Sequence, residues 1–339
     1  MPIVKDEGIV LEKTDLKFEN KAVLNPACIE EGGATHMFYR AVGENDVSSI
    51  GYCRLADGKI VYRSKRPVLF PEFDYEKRGL EDPRITFLDG TYYLFYTVYD
   101  GKNALVAYAT SKDLIDFSKR GVISPLISYD EAEELFRGSG VGNKYFEFKN
   151  SFKRQQGNDV LLFEKDASLF PKKFNGNFAV LHRVPPGIQI IFFKDFSELT
   201  ESRWREYLMG LRDSVVMDPR YPFENYYIGG GCPPILTEAG WLLVYHAVEN
   251  TPAGNIYHAA AALLDRDDPR KVSGRLSKPL FSPVASWEKI GLTHNVVFPT
   301  GAIVKDGRLF IYYGAADERI AVKSVDLAEL LAELAKSGT

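Results

Sequence analysis

The sequence predicts an all-β fold, a five-bladed β-propeller with a C-terminal helix, and three observations lead to it. One strand unit recurs five times along the 339 residues. The turns inside several units are Asp-Gly or Asn-Gly dipeptides, which tolerate positive φ and suit tight hairpins. Aromatic residues reach 13% of the chain, with 19 Tyr and 22 Phe, a composition that favours strands.

Each unit opens at a proline, continues as an apolar strand, turns, and returns as an aromatic-rich strand ending near Tyr or His. In chain order the hairpins run from Asn25-Pro26 to Tyr39-Arg40, Asp82-Pro83 to Tyr96-Thr97, Phe170-Pro171 to His182-Arg183, Pro233-Pro234 to Tyr245-His246, and Phe298-Pro299 to Tyr312-Tyr313. Asp89-Gly90, Asn175-Gly176 and Asp306-Gly307 supply type I′ turns for three of them, while Glu31-Gly32-Gly33 and Glu238-Ala239-Gly240 turn the others less tightly. Third strands follow, such as Ile50-Gly51-Tyr52-Cys53 and Leu105-Val106-Ala107-Tyr108. The second interval is the longest, and its surplus falls in 129–157, where Asp130–Leu135 has helical character and Gly138, Gly140 and Gly142 loosen the chain. This stretch reads as an insertion over one face, a lid or a contact in a homo-oligomer. The Ala/Leu-rich run 326–335 has helical spacing and is expected to form a packing helix. The first 20 residues are expected to complete the last blade, so that 1–339 is one domain.

Composition excludes several classes of partner. The formal charge is −4 with no basic cluster, so neither nucleic acid nor an anionic membrane is expected. Cys28, Cys53 and Cys232 are odd in number and lack CxxC spacing, which argues against a disulfide framework and a zinc site. No His/Asp/Glu cluster has metal-ligand spacing, so no metal and no cofactor are expected. The start of the chain has no basic region followed by an apolar stretch, and no window is long enough to span a bilayer, so a cytoplasmic location is expected.

The chemistry centres on Gly79-Leu80-Glu81-Asp82-Pro83-Arg84-Ile85, where two acids precede a proline that disfavours helix and an apolar run begins. Carboxylates held on such a rigid loop beside a base can donate a proton. The plainer alternative is an ordinary strand start with Asp82 paired to Arg84. Acids also follow four of the five hairpins, at Glu44, Asp100, Glu249 and Asp317, although acids favour turns in any case. Arg40, Arg183, His246 and Tyr313 stand at the matching strand ends. Gathered around one axis, these groups suit a polyhydroxylated ligand, and a pair of carboxylates is what glycoside cleavage requires.

Several ordered motifs then resemble glycoside hydrolase family 130: Gly-Leu-Glu-Asp-Pro-Arg-Ile at 79–85, Asn25-Pro26-Ala27, Leu169-Phe170-Pro171-Lys172-Lys173 with Leu181-His182-Arg183, Gly229-Gly230-Gly231-Cys232-Pro233-Pro234, Gly240–His246, and Tyr313-Gly314-Ala315-Ala316-Asp317. The resemblance runs from about residue 20 to 325. It implies a five-bladed propeller acting on β-mannosides as a phosphorylase or a hydrolase. It implies Asp82 as general acid, with Asn25, Arg40 and Asp317 holding the mannose and Arg183 and His246 near the attacking phosphate or water. Glu81, Asp100, Lys165, Asp166 and Tyr227 join the expected substrate-binding set. Where phosphorylases of the family usually carry a phosphate-binding Lys, this chain has Tyr227, and an Arg-Asn pair of some members is Lys165-Asp166. Charge-assisted contacts are the strong ones, so the missing cation disfavours phosphate. Hydrolysis then needs a carboxylate to activate water, for which Glu224 and Glu249 are the candidates. The expected function is an inverting exo-β-mannosidase acting on β-1,2-linked manno-oligosaccharides. The alternative is a β-1,2-mannoside phosphorylase with inorganic phosphate as co-substrate, and outside enzymes, a carbohydrate-binding propeller.

Overall fold

The computed structural model describes residues 1–337 and is all-β in its framework. Antiparallel groups follow one another along the chain. The first contains Ala22–Glu31, Ala34–Val42, Ser48–Ala56 and Lys59–Arg63, and the second Gly79–Leu88, Thr91–Tyr99, Ala104–Ser111 and Ser118–Val122. One parallel pair, Ser48 with Gly79, joins these two into an eight-stranded sheet. The third group is Lys165–Leu169, Phe178–Arg183, Ile188–Phe193 and Val215–Met217. The fourth is built on Gly240–Thr251 and Gly254–Leu264, with Tyr227–Gly230, Ile235–Thr237 and Val272–Arg275 beside them. In the last, Val297–Lys305, Arg308–Ala315 and Arg319–Asp326 are completed by the N-terminal strand Val4–Leu11, which pairs with Arg319–Asp326.

The predicted turns form as their residues dictate. Asp89-Gly90, Asn175-Gly176 and Asp306-Gly307 all have both residues at positive φ, the requirement of a type I′ turn. Prolines are a poorer guide to where strands start. In the third group the strand Lys165–Leu169 ends before Pro171, and in the fourth Tyr227–Gly230 precedes Pro233. The expected strand after Pro171 is instead a loop closed by the bridge between Phe174 and Asn177.

Each group has a buried glutamate at a matching place, and in four of the five it lies directly against a phenol or imidazole of a group strand. Glu19 accepts from the Tyr39 hydroxyl at 2.7 Å, Glu224 from Tyr245 at 2.7 Å and Glu288 from Tyr313 at 2.6 Å. Glu164 lies 2.7 Å from Nδ1 of His182, and Glu76 sits beside Tyr96. Arg63, Lys119, Arg275 and Lys323 balance the charge of Glu19, Glu76, Glu224 and Glu288. Glu76, Glu224 and Glu288 also accept two backbone N–H groups from the short turn before them, and in Glu224 and Glu288 both oxygens are thereby engaged within the framework.

The C-terminal helix Leu327–Lys336 is capped by Asp326 and buries Leu330, Leu331 and Leu334 against the fourth group, each worth about 2 kcal/mol. The 129–157 insertion contains helices Tyr129–Arg137 and Phe148–Gln156. It folds onto its own chain: the Phe148 ring lies 5.4 Å from Tyr226 and 6.2 Å from Tyr227, and Lys144 donates to the carbonyl of Asn225.

Candidate active site

Three strands break their register at the same kind of place. The shifts fall between Leu24 and Ala27, between Glu81 and Arg84, and between Lys165 and Ser168. Asn25, Asp82 and Asp166 occupy these bulges with φ of 48°, 52° and 61°. Asn and Asp tolerate this left-handed backbone better than other non-glycine residues, and a bulge re-aims a side chain that alternation would point elsewhere. Asp317, with φ 54°, does the same in the turn after Gly314. Four side chains distant in sequence thereby meet in one small cup of about 170 Å³. The third member also explains the displaced strand start: Asp166-Ala167 is the equivalent of Asn25-Pro26 and Asp82-Pro83, with alanine in the proline's place.

On one side of the cup, Asn25 Nδ2 donates to Asp82 Oδ1 at 2.7 Å and Arg40 Nη1 lies 3.5 Å from the same oxygen. Burial pushes the Asp82 pKa up, but Arg40, Lys165, Arg84 and the Asn25 amide outweigh it and hold the carboxyl below its usual range. Asp317 shifts the other way: burial raises its pKa, and the Thr293 hydrogen bond and Arg40 offset only part of that.

The other side is cationic. Lys165 and Arg183 are direct cross-strand partners, and like charges so placed are destabilising unless anions lie between them. Asp166 answers part of this, with Arg183 Nε 3.0 Å from Oδ2 and Arg84 Nη2 3.0 Å from Oδ1. Burial raises its pKa, but Arg183, His246, Arg84 and Lys165 overcome it and bring it to about 2. His246 is buried with neither ring nitrogen hydrogen-bonded. Burial drives its pKa to about 3 despite the neighbouring Asp166, so the ring is neutral. It packs 4.4 Å from Phe298, while Arg183 sits 4.7 Å over the Tyr227 ring and the Tyr227 hydroxyl is 2.9 Å from that of Tyr257.

Arg84 ties the cup together from behind. It donates to Asp82's carbonyl at 2.9 Å rather than to its carboxylate, and to the carbonyls of Gly230 and Gly231 at 2.9 and 2.8 Å. The plainer alternative, an Asp82–Arg84 ion pair, does not form, and Arg84 pairs with Asp166 instead. The glycines matter here: a Cβ on Gly229 would collide with the His246 ring and the Asp166 carboxylate.

Asn25, Arg40, Asp82, Lys165, Asp166, Arg183, Tyr227, His246 and Asp317 all line the cup. Glu81 stands just behind it. The other expectations do not fit their surroundings. Glu224 is the buried anchor of the fourth group, with Arg275, Tyr245 and two backbone N–H groups on it, and cannot activate a water. Glu249 pairs with His258 at 3.2 Å and is not part of the cup wall. Asp100 caps its own turn, accepting from the N–H groups of Lys102 and Asn103. Tyr257, Val296 and Phe298 complete the wall without having been predicted; nothing in their local sequence distinguishes them from core residues.

A sequence profile described as beta-1,4-mannooligosaccharide phosphorylase, that of glycoside hydrolase family 130, matches residues 3–336. A 1,2-beta-oligomannan phosphorylase of Thermoanaerobacter sp. (strain X514) is 34% identical over 337 residues, covering 96% of this chain and 97% of the relative. A beta-1,2-mannobiose phosphorylase of the same organism is 34% identical over 326 residues, covering 91% and 92%. Among solved structures, the beta-1,2-mannobiose phosphorylase from Listeria innocua superposes with a TM-score of 0.73 at 23% identity, covering 98% of this chain and 99% of that one. With this match along almost its whole length, the chain belongs to glycoside hydrolase family 130.

Proposed function

We propose that the protein is a β-1,2-mannoside phosphorylase, cleaving the terminal mannosyl bond of β-1,2-linked manno-oligosaccharides with inorganic phosphate to give α-mannose 1-phosphate. The scaffold in this reading is a five-bladed propeller, one blade for each strand group. The observation that carries it is the make-up of the cup: Lys165, Arg183 and Arg40 face it, and neither of the acids expected to activate water, Glu224 and Glu249, lines it. Asp166 is locked between Arg84 and Arg183, and Glu224 and Glu249 are engaged elsewhere. This favours the alternative over the hydrolase first expected, and the two 34% identical relatives, both named as phosphorylases, support it.

Tyr227 in place of a lysine is the feature that points to hydrolysis, and the cations that remain in the cup weigh against it. A cation about 4 Å from a phosphate charge contributes on the order of 4 kcal/mol at an effective dielectric of about 20, before desolvation. Losing one such contact leaves Lys165 and Arg183, with the Tyr227 hydroxyl and the neutral His246 as hydrogen-bonding groups. In this scheme Asn25, Arg40 and Asp317 hold the mannosyl hydroxyls, Asp82 supplies the proton to the departing oxygen, and phosphate attacks the anomeric carbon from the opposite face with inversion. The arriving dianion also offsets Lys165 and Arg183, which raises the Asp82 pKa when its proton is needed.

The reverse reaction tests this. α-Mannose 1-phosphate and mannose incubated with the enzyme should yield a β-1,2-linked disaccharide and free phosphate. Hydrolysis of the sugar phosphate with no disaccharide formed would reject the proposal.

A further inference from the structure

Glu81 is a buried carboxylate to which the scheme above gives no task. Its Oε1 accepts from Arg40 Nη2 at 2.7 Å and its Oε2 from Lys165 Nζ at 3.0 Å. Arg40 is fixed a second time by Nε donating to Ser48 Oγ at 2.9 Å. Successive strand residues normally point to opposite faces, but the bulge at Asp82 turns the two neighbouring acids toward the same pair of cations. An acid beside two unpaired cations gives up its proton, whereas cations already engaged by another carboxylate act on it less.

We infer that Glu81 is a positioning residue: it holds Arg40 and Lys165 on its own oxygens and takes up their charge, so that Asp82 keeps the proton it delivers. The inference rests on the reading of Asp82 as the general acid. The charges acting on Asp82 are Arg40, Lys165 and Arg84, with the Asn25 amide bonded to it and Asp317 across the cup. Those acting on Lys165 are Glu81, Asp82 and Asp166 on one side of the balance and Arg40 on the other.

Glu81→Gln preserves the shape and removes the charge. With β-1,2-mannobiose and phosphate both saturating, the descending limb of kcat against pH should move to lower pH by about one unit, and kcat on that limb should fall about tenfold. Glu81→Asp, which keeps a carboxylate, should leave the limb nearer its wild-type position. Removing the cation as well, in Glu81→Gln/Lys165→Met, should bring the limb back upward, and this comparison remains available if the single Gln variant folds poorly. A lower kcat with an unmoved limb, or a limb that does not respond to the second substitution, would overturn the inference and leave Glu81 a purely structural residue. Turnover by the wild type without phosphate would sink the phosphorylase reading instead, while the limb comparison would still decide the role of Glu81, since Asp82 donates the proton in either reaction.

Discussion

Glu224→Gln should weaken the fold and leave the chemistry alone. Glu224 is fully buried, with Oε1 accepting from Arg275 Nη2 and the Tyr245 hydroxyl, both at 2.7 Å, and Oε2 accepting from the N–H groups of Arg220 and Tyr221 at 2.7 and 3.0 Å. A glutamine has one acceptor oxygen, so its NH₂ must face either the guanidinium or the two N–H groups. Arg275 meanwhile keeps a buried charge with no partner charge. Breaking a buried pair in this way costs about 3–5 kcal/mol. For 339 residues, roughly 2.1 cal/mol/K per residue gives an unfolding entropy of about 0.7 kcal/mol/K, so the melting temperature should fall about 4–7 °C. Calorimetry and steady-state kinetics on one preparation decide the matter: kcat well below the transition should stay within about twofold of wild type. An unchanged melting temperature with kcat reduced about 100-fold or more would refute the reasoning and restore Glu224 as a general base.

Two further outcomes follow from the cup. Asp82→Asn should lower kcat by about 10²–10⁴-fold with little change in melting temperature, because the amide still fits beside Asn25; full activity in that variant would exclude Asp82 as the proton donor. His246 is neutral in the fold down to about pH 3, whereas in the unfolded chain it protonates near 6.5, so the unfolded state binds the extra proton throughout that window. Its contribution is fully present above pH 6.5 and is lost progressively as the pH falls toward 3. Denaturant titrations across the window should therefore show a shallower pH dependence in His246→Gln than in wild type, and identical slopes would contradict the assignment.

Much of the framework was legible because tight turns and alternating strands are local. Asp89-Gly90 and Asp306-Gly307 announce their hairpins through the φ they permit, and the Leu-rich helix 327–336 announces itself by its spacing. Bulges were not legible. They decide which face a side chain takes, and a bulge built on Asp166-Ala167 lacks the proline that marks Asn25-Pro26 and Asp82-Pro83. The same limit explains Glu224 and Glu249: position near a hairpin end does not say whether a carboxylate faces the cup or the framework. For Glu224 the answer came from the repetition of the anchor, with Glu19, Glu76 and Glu288 in matching surroundings. That signal is spread across the whole chain, and it is readable only once the strands are paired.

Phosphorus-31 NMR of the enzyme with β-1,2-mannobiose in phosphate buffer, followed over time beside a phosphate-free control, goes most directly to whether the cationic cup takes phosphate as its nucleophile. A sugar-phosphate resonance should grow in step with the mannose released, and the control should stay silent. Mannose appearing at the same rate in both samples, with the inorganic phosphate signal constant, would contradict it.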